Sequence, residues 1–170
     1  MIELHKIRIV EDFPTPGIKF FDITTLMNDA DAFRQIIDAL LEEAKKFCPE
    51  VIVALEARGY FFAPPLALAL NIPFVPIRKK GKLPFDTYTQ NYQLEYGEAS
   101  IEIHKDAIKP DQRVLIFDDV LATGGTAQAA TQLVNHFNPA DINFLFLLEL
   151  SFLNGREKLE NYPTKSLLTV

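Results

Sequence analysis

Arg113-Val-Leu-Ile-Phe-Asp-Asp-Val-Leu-Ala-Thr-Gly-Gly-Thr126 reads in three parts. Val114 to Phe117 is a short apolar run of β-formers flanking Leu and Ile, the pattern of a buried strand. Asp118 and Asp119 close that run with two adjacent carboxylates. Ala122 to Thr126 is small and polar, and a helix is expected from Ala127. A strand, a Gly-containing turn and a helix in that order make an anion site, because backbone N–H groups and the helix dipole point at the turn.

The flanking chain supplies more elements of the same kind. Val51 to Leu55 is continuously apolar and of strand length, which predicts burial on both faces, as in a parallel sheet. It ends at Glu56-Ala-Arg-Gly59, a turn with one acid and one base. Phe33, Ile36, Ile37, Leu40, Leu41, Ala44 and Phe47 recur at three and four, predicting an amphipathic helix capped by Asp31 and closed by Pro49. Pro64 to Leu70 reads as a helix with Pro in its first turn. Ile72 to Ile77 reads as a strand weakened by Pro73 and Pro76. After the glycine turn, Ala130, Leu133, Val134 and Phe137 are expected inward. Ile142 to Leu150 is another strand, and Asn154 to Val170 offers short helical turns and a last strand.

This alternation predicts a single α/β domain over residues 1–170, with a mostly parallel central sheet flanked by helices on both faces. Ligands of such sheets sit outside the carboxyl ends of the strands. Chemistry is therefore expected at Glu56–Gly59 and at Asp118–Thr126.

Two segments stand apart. Residues 1–10 carry apolar side chains at 2, 4, 7, 9 and 10 and read as a short helix. Phe13-Pro-Thr-Pro-Gly17 cannot be a helix interior; it is a loop leading to a short strand, Ile18 to Ile23. The Phe20-Phe21 pair there is either core or a wall for something flat. Arg78-Lys-Lys-Gly-Lys82 opens the second segment, residues 78–100. Leu83 to Gln90 lacks periodicity, Tyr92 to Tyr96 alternates, and Ser100 to His104 returns as its hairpin partner. The span reads as an excursion from the sheet and a flexible flap.

Bulk properties exclude several classes. The 170 residues carry 17 basic and 23 acidic side chains, a formal charge of −6, which argues against a nucleic-acid partner. Cys48 is the sole cysteine, so no disulfide framework or Cys-based metal site exists. No apolar run reaches membrane-spanning length, and no signal core follows Glu3. A cytoplasmic setting is expected. His5, His104 and His136 are isolated, and no HExxH, GxGxxG or P-loop pattern occurs.

Each charged group has a bland reading beside the functional one. Asp118 and Asp119 can be capping acids of a solvated loop. On a buried strand end they would repel one another, and hydroxyl donors, a cation or a Mg²⁺-bound ligand would relieve them. The glycine turn can add donors without bulky side chains. Arg58 is either in a surface pair with Glu56 or a phosphate ligand, since its fork suits two phosphate oxygens. The basic cluster at 78–82 is either a solvated face or a grip for an anion.

Val114 to Thr126 resembles the signature of the type I phosphoribosyltransferases, which bind 5-phosphoribosyl 1-diphosphate. Asp-Asp-Val-Leu-Ala-Thr-Gly-Gly-Thr is similar to the adenine-specific members; 6-oxopurine members usually carry Asp where this chain has Ala122. Phe13-Pro-Thr-Pro-Gly17, Glu56-Ala-Arg-Gly59, Arg78-Lys-Lys-Gly-Lys-Leu-Pro84, Leu94-Glu-Tyr-Gly97 and Gly155-Arg-Glu-Lys158 follow the order of that branch. The resemblance implies a fold with an N-terminal base-binding hood (residues 1–28) and a flap (78–100). It implies purine salvage: adenine and 5-phosphoribosyl 1-diphosphate give AMP and diphosphate, with Mg²⁺.

The same resemblance distributes roles. Ala122, Thr123, Gly124, Gly125 and Thr126 would hold the 5-phosphate, and Asp118 and Asp119 the ribose side. Mg²⁺ would be held mainly by the substrate, with Asp118 and Asp119 within its reach. Arg58, Arg78, Lys79 and Lys82 would take the diphosphate, some of the basic cluster from a neighbouring subunit, which implies a homodimer. Many members carry a cis non-proline peptide in the Glu56–Gly59 loop. Lys19, Phe20, Phe21 and Val120 would meet adenine, with Phe20 and Val120 on its two faces. Glu95 would be the acid/base, since the Ala122 methyl cannot move a proton, and Tyr96 would belong to the flap. The chain departs from the pattern at Phe21, where the family commonly has Arg, which puts base affinity or subunit contact in question. Two other readings remain at this point: a transferase for a different purine, and a regulator that senses the diphosphate without catalysis.

Overall fold

A computed structural model of the protein describes residues 6–93 and 98–170. The chain divides into two compact units, Met1–Ala39 and Leu40–Val170.

In the first unit, β1 (Arg8–Glu11) and β2 (Lys19–Asp22) form an antiparallel pair, with Ile9 opposite Phe21 and Val10 opposite Phe20. Residues 8–11 are therefore strand, not the helix expected over 1–10. The apolar spacing there fits neither period well, and pairing with the phenylalanine strand decides the outcome. Residues 1–5 of that expectation lie outside the described residues. The Pro-rich loop between the strands turns at Asp12 and Gly17, both at positive φ, and the Gly17 N–H donates to Asp12 Oδ1 at 2.6 Å. A short helix, α1 (Thr24–Met27), follows. The next, α2 (Ala30–Lys46), has its cap two residues earlier than expected. Asp29 Oδ1, not Asp31, accepts from the N–H groups of Asp31 (3.0 Å) and Ala32 (3.1 Å). The helix buries Ile36, Leu40 and Ala44 at three- and four-residue spacing, as its sequence predicts.

The second unit is built on one seven-stranded sheet. In chain order its strands are β3 (Val51–Leu55), β4 (Phe74–Lys79), β5 (Thr87–Gln93), β6 (Glu98–His104), β7 (Arg113–Leu121), β8 (Asp141–Glu149) and β9 (Thr164–Thr169). Their spatial order is β5-β6-β4-β3-β7-β8-β9. The stretch from β4 to β9 is parallel, and β5 and β6 join it antiparallel. All five residues of β3 are buried. Val51, Val53 and Leu55 share one core with Ile116 and with Ala130, Leu133 and Val134 of α4 (Gly125–Asn135). On β7 the neighbouring Phe117 meets Phe62, which precedes α3 (Ala63–Leu70), with ring centroids 6.1 Å apart. Right-handed crossovers from β3 to β4 and from β7 to β8 run in opposite directions, which puts α3 and α4 on opposite faces.

Three expectations shift. Strand β4 begins at Phe74 rather than Ile72. The hairpin over 87–104 is not an excursion: β6 pairs with β4, Arg78 opposite Glu102, and extends the main sheet. Strand β7 does not stop at the aspartates but runs through them to Leu121, held by β8, with Asp118 opposite Phe146 and Val120 opposite Leu148. Apolar content could not show this, because ladder pairing carried the two acids into the sheet.

Candidate active site

Strand β3 pairs with β4 on one side and β7 on the other, so the chain changes direction at the β3/β7 seam, the place where open α/β sheets take ligands. The two turns expected to carry chemistry meet there. A Cβ on Gly59 would lie 3.0 Å from Asp118 Oδ1 and 3.3 Å from the Phe117 carbonyl. Arg58, in a 3-10 turn over Arg58–Phe61, brings Nε to 2.9 Å from Asp119 Oδ2. The contact is a charge contact without the alignment of a hydrogen bond, and that oxygen has no hydrogen-bond partner among the described residues. Of the two readings of Arg58, the surface pair with Glu56 is not the one found: Arg78 holds Glu56 instead. The Glu56–Ala57 peptide that shapes this loop is cis.

Strand alternation sends the two aspartates to opposite faces. Asp119 is buried, and Asp118 is half-buried on the wall of a pocket. The Asp119 N–H donates to Asp118 Oδ1 at 3.0 Å. Burial pushes the Asp118 carboxyl well above the usual carboxylate range, and the neighbouring Asp119 charge adds to it. Burial also raises Asp119, but Arg58 pulls it back. Asp119 is therefore the member of the pair that keeps its charge more readily.

The same pocket is lined by Val120 and by residues 122–126. Gly124 caps α4 at φ +75°, and no side chain occupies the cap. The first backbone bond back to the cap comes from the Gln128 N–H to the Gly124 carbonyl, 2.9 Å. The N–H groups of the preceding helical residues are the orphan donors of a helix start. They face a wall made of Gly, Thr and Ala. A helix start of this kind offers an anion its donors.

A second turn backs the first. Gly155 opens a 3-10 turn over Gly155–Leu159, and a Cβ on it would collide with the Ala122 carbonyl. Arg156 fixes that turn: Nε donates to Glu149 Oε1 at 2.9 Å, and other guanidinium nitrogens donate to the Thr164 carbonyl (2.9 Å) and Ser166 Oγ (3.2 Å). The Arg156 charge holds Glu149 below the usual carboxylate range, against its burial. The sequence marked Gly155-Arg-Glu-Lys158 only as a motif, and its packing under the glycine turn was not legible from spacing.

The basic cluster is split by use. Arg78 Nε donates to Glu56 Oε2 at 3.2 Å and Arg78 NH1 to the Lys82 carbonyl at 3.1 Å. Glu56 Oε2 also accepts from the Lys79 N–H at 3.0 Å. Burial acts to raise Glu56, but the Lys79 N–H and Arg78 outweigh it and hold it below the usual range. The Gly81 N–H donates to the buried Glu102 at 2.9 Å. Arg78 therefore shapes the loop, whereas Lys79, Lys80 and Lys82 are exposed.

Other expected residues divide as follows. Lys19, Phe20 and Phe21 lie on β2 in the first unit, with Phe20 and Phe21 on opposite faces of the pair. Phe13 braces Phe20 edge-on, centroids 5.1 Å apart. Glu95 and Tyr96 lie outside the described residues, in the connection between β5 and β6. The last described residue of β5 approaches the glycine turn: a Cβ on Gly125 would sit 3.6 Å from the Gln93 carbonyl. His136, given no role, stacks on Tyr88 of β5 at 4.3 Å and so ties the hairpin to the far end of α4.

The match to known proteins agrees with this geometry. Residues 22–168 match the phosphoribosyl transferase domain, and the chain belongs to that family. Its relatives within the family are specific. An adenine phosphoribosyltransferase of Desulfitobacterium hafniense (strain Y51) is 49% identical over 162 residues, covering 95% of this chain and 94% of that one. The crystal structure of adenine phosphoribosyltransferase from Thermoanaerobacter pseudethanolicus superposes with a TM-score of 0.93 at 48% identity, covering 98% and 96% of the two chains. The Saccharomyces cerevisiae adenine phosphoribosyltransferase, solved with an imino-altritol bisphosphate and adenine, gives 0.91 at 41% identity, covering 96% and 95%.

Proposed function

We propose that this protein is an enzyme of purine salvage, an adenine phosphoribosyltransferase. Adenine N9 attacks C1′ of 5-phosphoribosyl 1-diphosphate, the C1′–O bond to diphosphate breaks, and AMP and diphosphate leave. The observation that carries the reading is the uncapped start of α4 beside the Asp118-Asp119 pair. One strand end then serves both ends of a ribose 5-phosphate: donors for the phosphate, carboxylates for the sugar hydroxyls. Identity near 49% over almost the whole chain to an adenine-specific relative supports the choice of base.

In this reading Ala122–Thr126 hold the 5-phosphate and Asp118 and Asp119 accept from the ribose hydroxyls. Arg58, Lys79 and Lys82 face the diphosphate, and Arg78 keeps their loop in place through Glu56. Lys19, Phe20, Phe21 and Val120 serve adenine. Phe20 is the better wall of the two phenylalanines because Phe13 fixes its ring. Glu95 handles the purine proton, and Tyr96 belongs to the flap. Among the described residues no three His, Cys, Asp or Glu side chains cluster as a metal cage. Mg²⁺ would be carried by the substrate diphosphate, with Asp118 and Asp119 within its reach. The ion supplies charge neutralisation of the leaving group. The working form is a homodimer in the cytoplasm. Among the described residues no helix is long and apolar enough to cross a membrane.

The test is direct. The protein is incubated with Mg²⁺, 5-phosphoribosyl 1-diphosphate and each purine separately. AMP from adenine, with no product from hypoxanthine, guanine or xanthine, is expected; a product from another base, or from none, overturns the assignment.

A further inference from the structure

The Gly155-Arg-Glu-Lys158 turn is joined to the site but has no part in the reading above. A Cβ on Gly125, the first residue of α4, would lie 3.9 Å from Lys158 Nζ. The lysine is exposed, while the residues around it are fixed. Gly155 is packed against Ala122 and Gly124 on one side, Arg156 is clamped to Glu149, and Leu159 is buried at 1% exposure. The two cations of the turn thus differ in use. Arg156 is spent on Glu149, and Lys158 is in no ion pair among the described residues.

We propose that Lys158 is a ligand of the substrate's 5-phosphate, brought to the phosphate turn from the far end of the sequence. The proposal rests on the assignment of residues 122–126 to that phosphate. Charge supplies the argument. A phosphate monoester carries about −1.5 to −2 charges near neutral pH. The turn offers N–H groups and hydroxyls, equivalent to roughly half a positive charge at a helix start. Asp118 lines the same pocket and Asp119 follows it, so the local field without Lys158 is unfavourable to a dianion. A full positive charge at the rim offsets this. Lysine suits the place: a point charge on a flexible stem reaches the Gly125 edge.

Ribose 5-phosphate is the probe, titrated calorimetrically into the wild type, Lys158→Gln, Lys158→Arg and Thr126→Val. Lys158→Gln is expected to bind it about 10- to 100-fold more weakly, the loss of one charge-assisted hydrogen bond, and Lys158→Arg to recover most of that. Steady-state KM for 5-phosphoribosyl 1-diphosphate rises in Lys158→Gln and KM for adenine does not, a split that a merely structural role would not produce. Unchanged ribose 5-phosphate affinity in Lys158→Gln, with a loss in Thr126→Val, overturns the role of Lys158 and leaves the phosphate turn standing. Unchanged affinity in both overturns the turn assignment and the proposal with it.

Discussion

Gly155 and Gly124 press backbone against backbone: a Cβ on Gly124 would strike the Gly155 carbonyl. Gly124 also sits at φ +75°. Gly124→Ala therefore costs about 1–2 kcal/mol from the left-handed backbone alone, and displacement of the Gly155 turn adds to it. A lower urea midpoint together with a raised KM for 5-phosphoribosyl 1-diphosphate is expected. Gly125→Ala is the contrast. Its Cβ would meet nothing closer than 3.6 Å, an ordinary contact, so the fold should hold. Equal destabilisation by the two substitutions would contradict this account.

Asp118→Asn should stabilise the protein while disabling it. The folded state raises the Asp118 pKa, so it binds that proton more tightly than the unfolded chain. The stability from this group is complete below the unfolded value of about 3.9 and is lost as pH rises through the folded value. Above that folded value the wild type carries a buried charge that Asn lacks, and the Asn oxygen can still accept from the Asp119 N–H. A gain of about 0.5–2 kcal/mol is expected there, shrinking as pH falls and the wild type takes up its proton. Thermal melts of both proteins over a pH series measure this; a gain that does not change with pH, or no gain, counts against a strained carboxylate.

Most of the parallel core was legible because its strands are continuously apolar. Val51–Leu55 and Ile142–Leu150 need burial on both faces, and only a covered sheet provides it. Local spacing failed where distant pairing decided the outcome. Arg8–Glu11 became strand because β2 lies beside it, and Asp118 stayed in a strand because β8 does. The site divides in the same way. The glycine turn was readable from residues adjacent in sequence. The partner of Arg58 was not, because Asp119 lies 61 positions away and reaches it only through the β3–β7 pairing. The use of Arg78 was hidden likewise, since its ladder position is set by β6 and its ion pair by the turn after β3.

Glu56→Gln should loosen the basic loop. Glu56 accepts from Arg78 and from the Lys79 N–H, and its folded pKa is depressed. Its stability contribution is therefore present above the unfolded value of about 4.3 and lost as pH falls through the folded one. The Arg78 side chain is 35% exposed, so solvent screens the pair. A modest destabilisation of about 1 kcal/mol is expected, with a larger relative effect on diphosphate inhibition than on ribose 5-phosphate binding. Equal weakening of both ligands would mean that Glu56 supports the whole site rather than the loop.

The proton step makes the sharpest demand on residues the turn does not contain. Ala122 presents only a methyl group, Asp119 faces Arg58, and Asp118 lines the pocket. Strand β5 ends at Gln93, two residues before Glu95 in sequence, with its carbonyl beside the glycine turn. Glu95→Gln keeps the size and the hydrogen-bonding ends of the side chain and removes only its titration. A positioned acid/base contributes roughly 10²–10⁴-fold, or about 3–5 kcal/mol of barrier. Loss of kcat in that range is expected, with ribose 5-phosphate and diphosphate affinities retained. A loss under about tenfold removes Glu95 from the role, and a fall in kcat matched by lost ribose 5-phosphate binding assigns it to substrate binding instead.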